Sequence, residues 1–231
     1  MKLSLSVRIA ESSSRKDRSE MPLEELAPLA RAAGFEGLSM RASAISVAAP
    51  PARVQQVRNL VRVMLQTPDD IAPARHAADI AAERGLALAQ QTHWGTLCET
   101  IDQALDLVRA IDRPNFGITF EPANLMACGG GYGPDAVARI APHLANVYFQ
   151  NVRRDPAGTH RFSTRARGEV PIAYVPLDDP SGIDAVPLID ALDRAGYDGW
   201  FTVHQPLRPG QTVRSAIDEA ARVFRPLIHK R

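Results

Sequence analysis

Short apolar segments alternate with longer helical segments along the whole chain, and this alternation restricts the fold more than any other feature. The apolar segments have the length and the branched or aromatic composition that is typical of strands. Strands that alternate with helices of about 10–15 residues form a parallel sheet with right-handed crossovers. The strands are predicted to begin at Leu3, Phe35, Val61, Leu86, Asn115, Asn146 and Trp200.

The helical segments between these strands carry recognisable start and stop signals. In the first of them, Pro22 stands in the first turn and Gly34 follows the last turn. We predict helices over 22–34, 69–85, 99–112, 133–145, 185–196 and 215–228.

A chain of 231 residues has the size of one α/β barrel, but a closed barrel of this type needs eight strands. The segment between Met40 and Val61 offers one helix and a loop, whereas a further strand and helix take about 30 residues. We do not assign Ile45–Ala48 as a strand. The sequence therefore predicts a single domain over 1–231, a TIM-type (β/α) barrel that is incomplete, with seven parallel strands and its opening between Met40 and Val61. An open sheet edge favours pairing with another chain, so we also expect a homo-oligomer.

Composition excludes several classes of partner. The formal charge is +1, from 27 Lys and Arg against 26 Asp and Glu, so no excess of positive charge favours nucleic acid, and a small molecule is the expected partner. No apolar stretch is long enough to cross a membrane. Cys98 and Cys128 are too few and too far apart for a disulfide framework. We expect a cytoplasmic protein.

Polar residues stand at the carboxyl ends of four predicted strands: Gln91, Glu121, Gln150 and His204. Side chains alternate along a strand, and the carboxyl ends of parallel strands meet at one mouth of a barrel, where active sites lie. One carboxylate, one imidazole and two amides can bind a divalent ion weakly, with water and substrate oxygens as further ligands. The same set also suits proton transfer without a metal, in which Glu121 removes a proton next to a carbonyl and His204 returns one. A structural ion pair or a helix cap is the alternative interpretation of such residues.

Four further residues are candidates for substrate binding. Arg8 and Arg41 follow the ends of the first two strands and face the same mouth, so they are candidates to bind an anionic group. His93 and Trp94 offer a hydrogen bond and a stacking surface for a sugar ring, or else a core tryptophan beside a loop histidine. The basic segment from Arg153 to Arg167 is interpreted as a solvated loop, which is what most such segments form. The alternative is that one of its arginines binds a phosphate or a carboxylate.

Four spaced motifs carry a family resemblance: LALAQQTHWGTLCET (86–100), PNFGITFEPANL (114–125), NVYFQNV (146–152) and GYDGWFTVHQ (196–205). In this order they resemble the second half of the xylose-isomerase-like sugar phosphate isomerase and epimerase barrels. The resemblance is strong over 61–206 and weak over the first two strands. It implies a TIM-type barrel, a small sugar or sugar derivative as substrate, and a divalent metal bound at the strand ends by Glu, Asp, His and Glu.

This chain departs from that ligand pattern at every position. Gln91 stands in place of the first Glu, Glu121 in place of the Asp, Tyr148 in place of the His, and His204 in place of the last Glu. Gln150 and Asn151 replace a Lys-Asp pair, and Asn124 replaces a common His. The resemblance thus implies Mn²⁺ or Mg²⁺ bound by Glu121 and His204 with help from Gln91 and Gln150, and a substrate in contact with Gln91, Asn124, Tyr148, Gln150 and Asn151. The loss of strong ligands counts against the usual metal site.

The function expected from these residues is that of an isomerase or epimerase. It would act on a small ketose or keto-sugar derivative by metal-assisted proton transfer next to a carbonyl, with Glu121 and His204 as catalytic groups. Two alternatives stay open: a lyase or hydrolase acting on an oxidised sugar in the same pocket, and a catalytically weakened sugar-binding or scaffold barrel. The endonuclease branch of the superfamily is disfavoured because its several His and acidic metal ligands are absent.

Overall fold

The computed structural model describes residues 1–11, 19–39 and 60–229. Ten strands occur in these residues. In chain order they are β1 (Lys2–Ser6), β2 (Gly37–Ser39), β3 (Leu60–Val63), β4 (Ala87–Gln91), β5 (Phe116–Phe120), β6 (Leu144–Phe149), β7 (Val152–Arg154), β8 (His160–Thr164), β9 (Gly168–Tyr174) and β10 (Trp200–Val203).

Seven of the strands form one sheet in the order β2-β1-β10-β6-β5-β4-β3. Every neighbouring pair in this sheet is parallel. The first strand pairs with the last, as in a barrel, and β2 and β3 form the two edges. Over the described residues, the predicted incomplete TIM-type barrel with seven parallel strands is therefore confirmed. The predicted opening between Met40 and Val61 falls on residues that the structure does not describe. Ile45–Ala48 and the helix expected before Val61 lie outside the described residues, and self-association stays a prediction.

Seven α-helices occur in the described residues. They are α1 (Leu23–Ala32), α2 (Ile71–Ala82), α3 (Ile101–Ile111), α4 (Pro122–Cys128), α5 (Pro134–Ile140), α6 (Ala185–Arg194) and α7 (Val213–Ile228). Five of them fall inside the predicted helical segments, and α7 begins at Val213, two residues before the predicted start at Ser215. At the start of α3, Thr100 and Gln103 form a capping box in which each side chain accepts a hydrogen bond from the other residue's backbone N–H. None of the described helices has the length and apolar character needed to span a membrane.

The short helix α4 was not predicted. It follows Glu121 directly, with Pro122 in its first turn, where a missing N–H costs no helical hydrogen bond. It ends at Gly129, whose φ of 84° is accessible to glycine without strain. A helix of one to two turns in a segment with many glycines gives too short a periodic signal to detect.

The interpretation of 153–167 as a loop is wrong. The chain leaves the barrel sheet after Phe149 and forms a separate antiparallel sheet in the order β7-β9-β8. In β8, Phe162 and Thr164 are buried while Arg161 and Ser163 are exposed, which is the two-residue alternation of a strand with one covered face. The five arginines in this segment hid that alternation.

The two faces of the barrel strands differ in polarity. Leu5, Phe149 and Phe201 are directed toward the helices, and the rings of Phe149 and Phe201 lie 5.2 and 5.1 Å from the ring of Phe224 in α7. The opposite face points into the barrel and is polar. There Ser4 Oγ lies 2.6 Å from Thr202 Oγ1 in a hydrogen bond, and Thr202 donates to Asn146 Oδ1 at 3.0 Å. Because side chains alternate between these two faces, the polar residues at the strand ends point into the barrel mouth.

Candidate functional site

Glu121 lies at the carboxyl end of β5, and its side chain is 0% exposed. Gln91, at the end of the neighbouring strand β4, donates from Nε2 to Glu121 Oε2. The second oxygen, Oε1, has no hydrogen-bond partner among the described residues. Burial raises the pKa of Glu121 to about 8, against the opposing influence of Arg8 and Arg62. A carboxyl group with a pKa near neutrality can both accept and donate a proton, which suits general acid–base catalysis.

Arg62 lies in β3 and was not predicted as a site residue. Its Nη1 donates to Gln91 Oε1, so Gln91 links the guanidinium to the Glu121 carboxyl. The guanidinium also lies 5.9 Å from the ring centroid of Tyr148. A signal was present in the sequence, because Arg62 is the only charged residue in the apolar run from Leu60 to Leu65.

Arg8 enters the mouth from the other side, after the end of β1. It donates to Gln150 Oε1 at 3.0 Å and to the hydroxyl of Tyr174 at 2.8 Å. Tyr174 ends β9, so the antiparallel sheet contributes directly to the site. Burial raises the pKa of Tyr174, and the nearby Glu121 raises it further.

His204 is packed between aromatic and hydroxyl groups at the end of β10. Its ring stacks on Tyr148 with centroids 4.2 Å apart, and its Nδ1 forms a hydrogen bond of 2.8 Å with Ser6 Oγ. The hydroxyls of Tyr148 and Ser39 are 2.6 Å apart in another hydrogen bond. Ser6 and Ser39 thus belong to the same polar group, although nothing in their sequence context singled them out.

A continuous set of contacts therefore joins the predicted constellation. Gln91 contacts Glu121 and Arg62, Arg62 lies over Tyr148, and Tyr148 stacks on His204. Gln150 joins through Arg8, which acts electrostatically on Glu121. The structure brings together six of the predicted residues: Arg8, Gln91, Glu121, Tyr148, Gln150 and His204.

The two asparagines expected to contact substrate form hydrogen bonds to nearby backbone groups, and their contact with substrate stays a prediction. Asn124 Nδ2 donates to the carbonyl of Thr92 at 2.9 Å. Asn151 Oδ1 accepts from the backbone N–H of Ile183 at 2.6 Å, and its Nδ2 donates to the carbonyls of Pro176 and Asp179 at 2.7 and 3.0 Å. These bonds hold the loops that follow β4 and β9.

His93 and Trp94 lie against the antiparallel sheet. His93 Nδ1 is hydrogen-bonded to the Trp94 carbonyl at 2.7 Å, and the Trp94 ring stacks on Phe162 with centroids 5.9 Å apart. Arg41 lies outside the described residues.

The side chains at the mouth, as they are arranged, do not fit a resident divalent metal. Among the described residues there is no group of three or more His, Cys, Asp or Glu that could hold an ion. Of the four predicted ligands, Gln91 and Gln150 direct their amide oxygens to the guanidiniums of Arg62 and Arg8. Two positively charged groups thus use the oxygens that Mn²⁺ or Mg²⁺ would need, and their charge repels a further cation.

Comparison with known proteins identifies the family to which this chain is similar. A family model described as the xylose isomerase-like TIM barrel matches residues 72–227. The inosose dehydratase of Geobacillus thermodenitrificans is 27% identical over 134 residues, which are 57% of this chain and 44% of that protein. The rhizopine catabolism protein MocC of Rhizobium meliloti is 30% identical over 140 residues, 58% of this chain and 41% of that protein. The chain spans less than half the length of these relatives.

Solved structures agree with this assignment of the fold. The probable 3-DHS dehydratase AsbF from Bacillus anthracis superposes with a TM-score of 0.68 at 15% identity, covering 97% of this chain and 99% of that one. The IOLI protein, whose structure contains a zinc atom, has a TM-score of 0.67 at 14% identity, over 100% and 99% of the two chains. The D-allulose 3-epimerase from Methylomonas has a TM-score of 0.64 at 13% identity, over 99% and 98%. With a family match over most of its length and the same fold in these structures, the chain belongs to the xylose isomerase-like TIM barrel family.

Proposed function

We propose that this chain is a lyase that removes water from a small polyhydroxylated carbonyl compound, beginning with proton abstraction next to the carbonyl. The observation that carries the proposal is the fully buried carboxyl group of Glu121. It accepts a hydrogen bond from Gln91, and two nearby guanidiniums stabilise its charged form. Proton abstraction next to a carbonyl needs a base whose pKa lies near the working pH and a positive group that stabilises the enolate. Both are present.

Each side chain has a defined task in this reaction. The Glu121 carboxylate takes the proton from carbon, and the electrons of the broken C–H bond move to the carbonyl oxygen to give an enolate. Arg62 or Arg8 stabilises its negative charge, because a guanidinium donates charge-assisted hydrogen bonds to an oxyanion. The enolate then reforms the carbonyl while the bond to the neighbouring hydroxyl breaks. Protonated Glu121 returns its proton to that hydroxyl, so water leaves and the carboxylate is restored.

Elimination has more support than the isomerisation expected from the sequence. Two of the proteins compared above are named dehydratases. Isomerisation or epimerisation is the second candidate, and two observations favour it: His204 is a further proton-transfer group at the same mouth, and one structural neighbour is an epimerase. In that reaction, His204 would return the proton to carbon.

Mn²⁺ or Mg²⁺ as the group that polarises the carbonyl stays a prediction. It is favoured by the zinc atom in the IOLI structure. To bind such an ion, Gln91 and Gln150 would have to turn away from the two arginines. The catalytically weakened sugar-binding barrel is the remaining alternative and predicts no turnover at all.

The test is turnover of two candidate ketones, an inosose and 3-dehydroshikimate, in D₂O. Dehydration gives a conjugated or aromatic product with a new ultraviolet absorption and fewer signals from saturated CH–OH groups in the proton NMR spectrum. Isomerisation or epimerisation exchanges a carbon-bound proton for deuterium without that absorption. We expect dehydration of one of them by the wild type and a loss of at least 100-fold in Glu121→Gln, in keeping with the usual contribution of a general base.

The matched control is Glu83→Gln, which changes an exposed glutamate at the end of α2, on the opposite side of the barrel from the mouth. This variant should keep wild-type turnover. Equal rates in the wild type and Glu121→Gln would contradict the assignment of Glu121 as the base.

A further inference from the structure

We propose that Arg8 and Arg62 together form a metal-independent site for a carboxylate, so that the substrate is a hydroxylated keto acid rather than a neutral keto sugar. The identification of the bound molecule as a substrate rests on the proposed function, whereas the carboxylate site itself rests on the geometry alone.

Both guanidiniums lie near the same carboxyl group although their strands are far apart in the sheet. Arg8 follows β1, Arg62 is in β3, and four strands separate β1 from β3 in the sheet order. Each of them nevertheless acts electrostatically on Glu121. The curvature of the sheet therefore directs two positive charges into one mouth.

Neutral groups hold these two arginines in position. Arg62 donates to Gln91, and Arg8 donates to Gln150 and Tyr174. A guanidinium has five N–H donors, so these bonds orient each group and leave donors for a ligand. Within the part of the chain that the structure describes, neither arginine forms an ion pair.

The charge of the mouth is therefore positive, and an anion is the ligand that balances it. Both arginines are half-buried, and a planar carboxylate matches the planar donor pattern of a guanidinium. A divalent cation would add to the charge instead. The two guanidiniums would thus bind the oxygen atoms of the ligand, as a metal ion does in other enzymes.

A second observation points to a hydroxyl group on the same ligand. Glu121 Oε1 is buried and has no hydrogen-bond partner among the described residues. A buried acceptor without a partner costs about 1–3 kcal/mol, and a ligand hydroxyl can supply the missing hydrogen bond. The site thus calls for a carboxylate and a hydroxyl in one small molecule.

The experiment measures equilibrium binding of gluconate and sorbitol, which share a carbon skeleton and differ in the carboxylate. The protein is first treated with EDTA, and titration calorimetry is run with and without Mn²⁺. We expect gluconate to bind to the metal-free protein at least tenfold more tightly than sorbitol, with no gain from Mn²⁺. Equal binding of the two compounds, or gluconate binding that appears only with one equivalent of Mn²⁺, would overturn the proposal.

Variants locate the binding on the two arginines. Arg62→Gln and Arg8→Gln should each weaken gluconate binding at least tenfold, and Arg62→Lys, which keeps the charge, should weaken it less than Arg62→Gln. Arg84→Gln is the control, because Arg84 has a side chain that is 61% exposed. If Arg62→Gln does not fold, the comparison of Arg62→Lys and Arg8→Gln with the wild type still decides the matter. Unchanged affinity in both would refute the site.

These results are independent of the turnover assay. Gluconate binding that depends on the arginines, without turnover of any ketone, would support the carboxylate site and refute the lyase. Dehydration of an inosose with no preference for gluconate over sorbitol would support the lyase and refute the carboxylate site.

Discussion

At the scale of the residue, burial decides what Glu121 can do. The same carboxyl group on the surface would be ionised at neutral pH, but the interior disfavours the charged form and raises its pKa to about 8. Arg8 and Arg62 oppose this effect, because their positive charges stabilise the ionised carboxylate and lower its pKa. The sequence identified Glu121 as a candidate because it ends a strand, but it gave no information on the strength of either influence.

We predict that Glu121 makes the stability of the protein dependent on pH. Its pKa in the folded state is above the value of 4.5 of an exposed glutamate, so its contribution to folding is fully present below pH 4.5 and is lost as the pH rises through about 8. The slope in this window is at most about 1.4 kcal/mol per pH unit. Urea denaturation at several pH values should show this decrease in the wild type and in Glu83→Gln, and not in Glu121→Gln. The same decrease in all three proteins would refute the assignment.

At the scale of the element, the antiparallel sheet β7-β9-β8 completes the site. It contributes Tyr174, which orients Arg8. The turn between β8 and β9 is held by the buried carboxylate of Glu99, whose Oε1 accepts from the backbone N–H groups of Gly95 at 2.6 Å and Arg165 at 2.9 Å. One side chain thus fixes the hairpin to the loop after β4.

We predict that Glu99→Ala loosens this hairpin. The change leaves two backbone N–H groups without their acceptor, at a cost of about 1–3 kcal/mol for each group that stays buried. Trypsin should then cut after Arg165 or Arg167 several times faster than in the wild type, as judged by mass spectrometry of the fragments. The exposed Glu169 in β9 provides the control variant Glu169→Ala. Equal cleavage of all three proteins would show that Glu99 does not hold the hairpin.

At the scale of the whole molecule, helix α7 closes the barrel from outside. The ring of Phe224 in this helix is fully buried and packs on Phe149 of β6 and Phe201 of β10. The neighbouring strands β10 and β6, of which β10 pairs with the first strand of the chain, are thereby tied to its last helix. Apolar contacts of this kind, between segments far apart in sequence, supply most of the stability of a barrel.

We predict that Phe224→Ala lowers the free energy of unfolding by about 3–5 kcal/mol, the usual effect of removing a buried aromatic side chain. Urea denaturation followed by circular dichroism measures this change. Val186→Ala is the control, since Val186 is an apolar helix residue that is 46% exposed, and it should change stability by less than about 0.5 kcal/mol. A similar loss of unfolding free energy in both variants would mean that the packing of Phe224 does not stabilise the core more than an exposed helix residue does.

The sequence by itself determined the seven-stranded parallel sheet, most of the helices and the four strand ends that carry Gln91, Glu121, Gln150 and His204. These features follow from local periodicity, and in a parallel barrel the carboxyl ends of the strands necessarily meet. Only the tertiary structure showed that Arg62 and Tyr174 join them. Arg62 reaches the mouth through the curvature of the sheet, and Tyr174 comes from an inserted sheet whose alternation is hidden by charged residues. The tertiary structure also decided the pKa of Glu121, since that value depends on burial and on two distant arginines, and neither is a property of the local sequence.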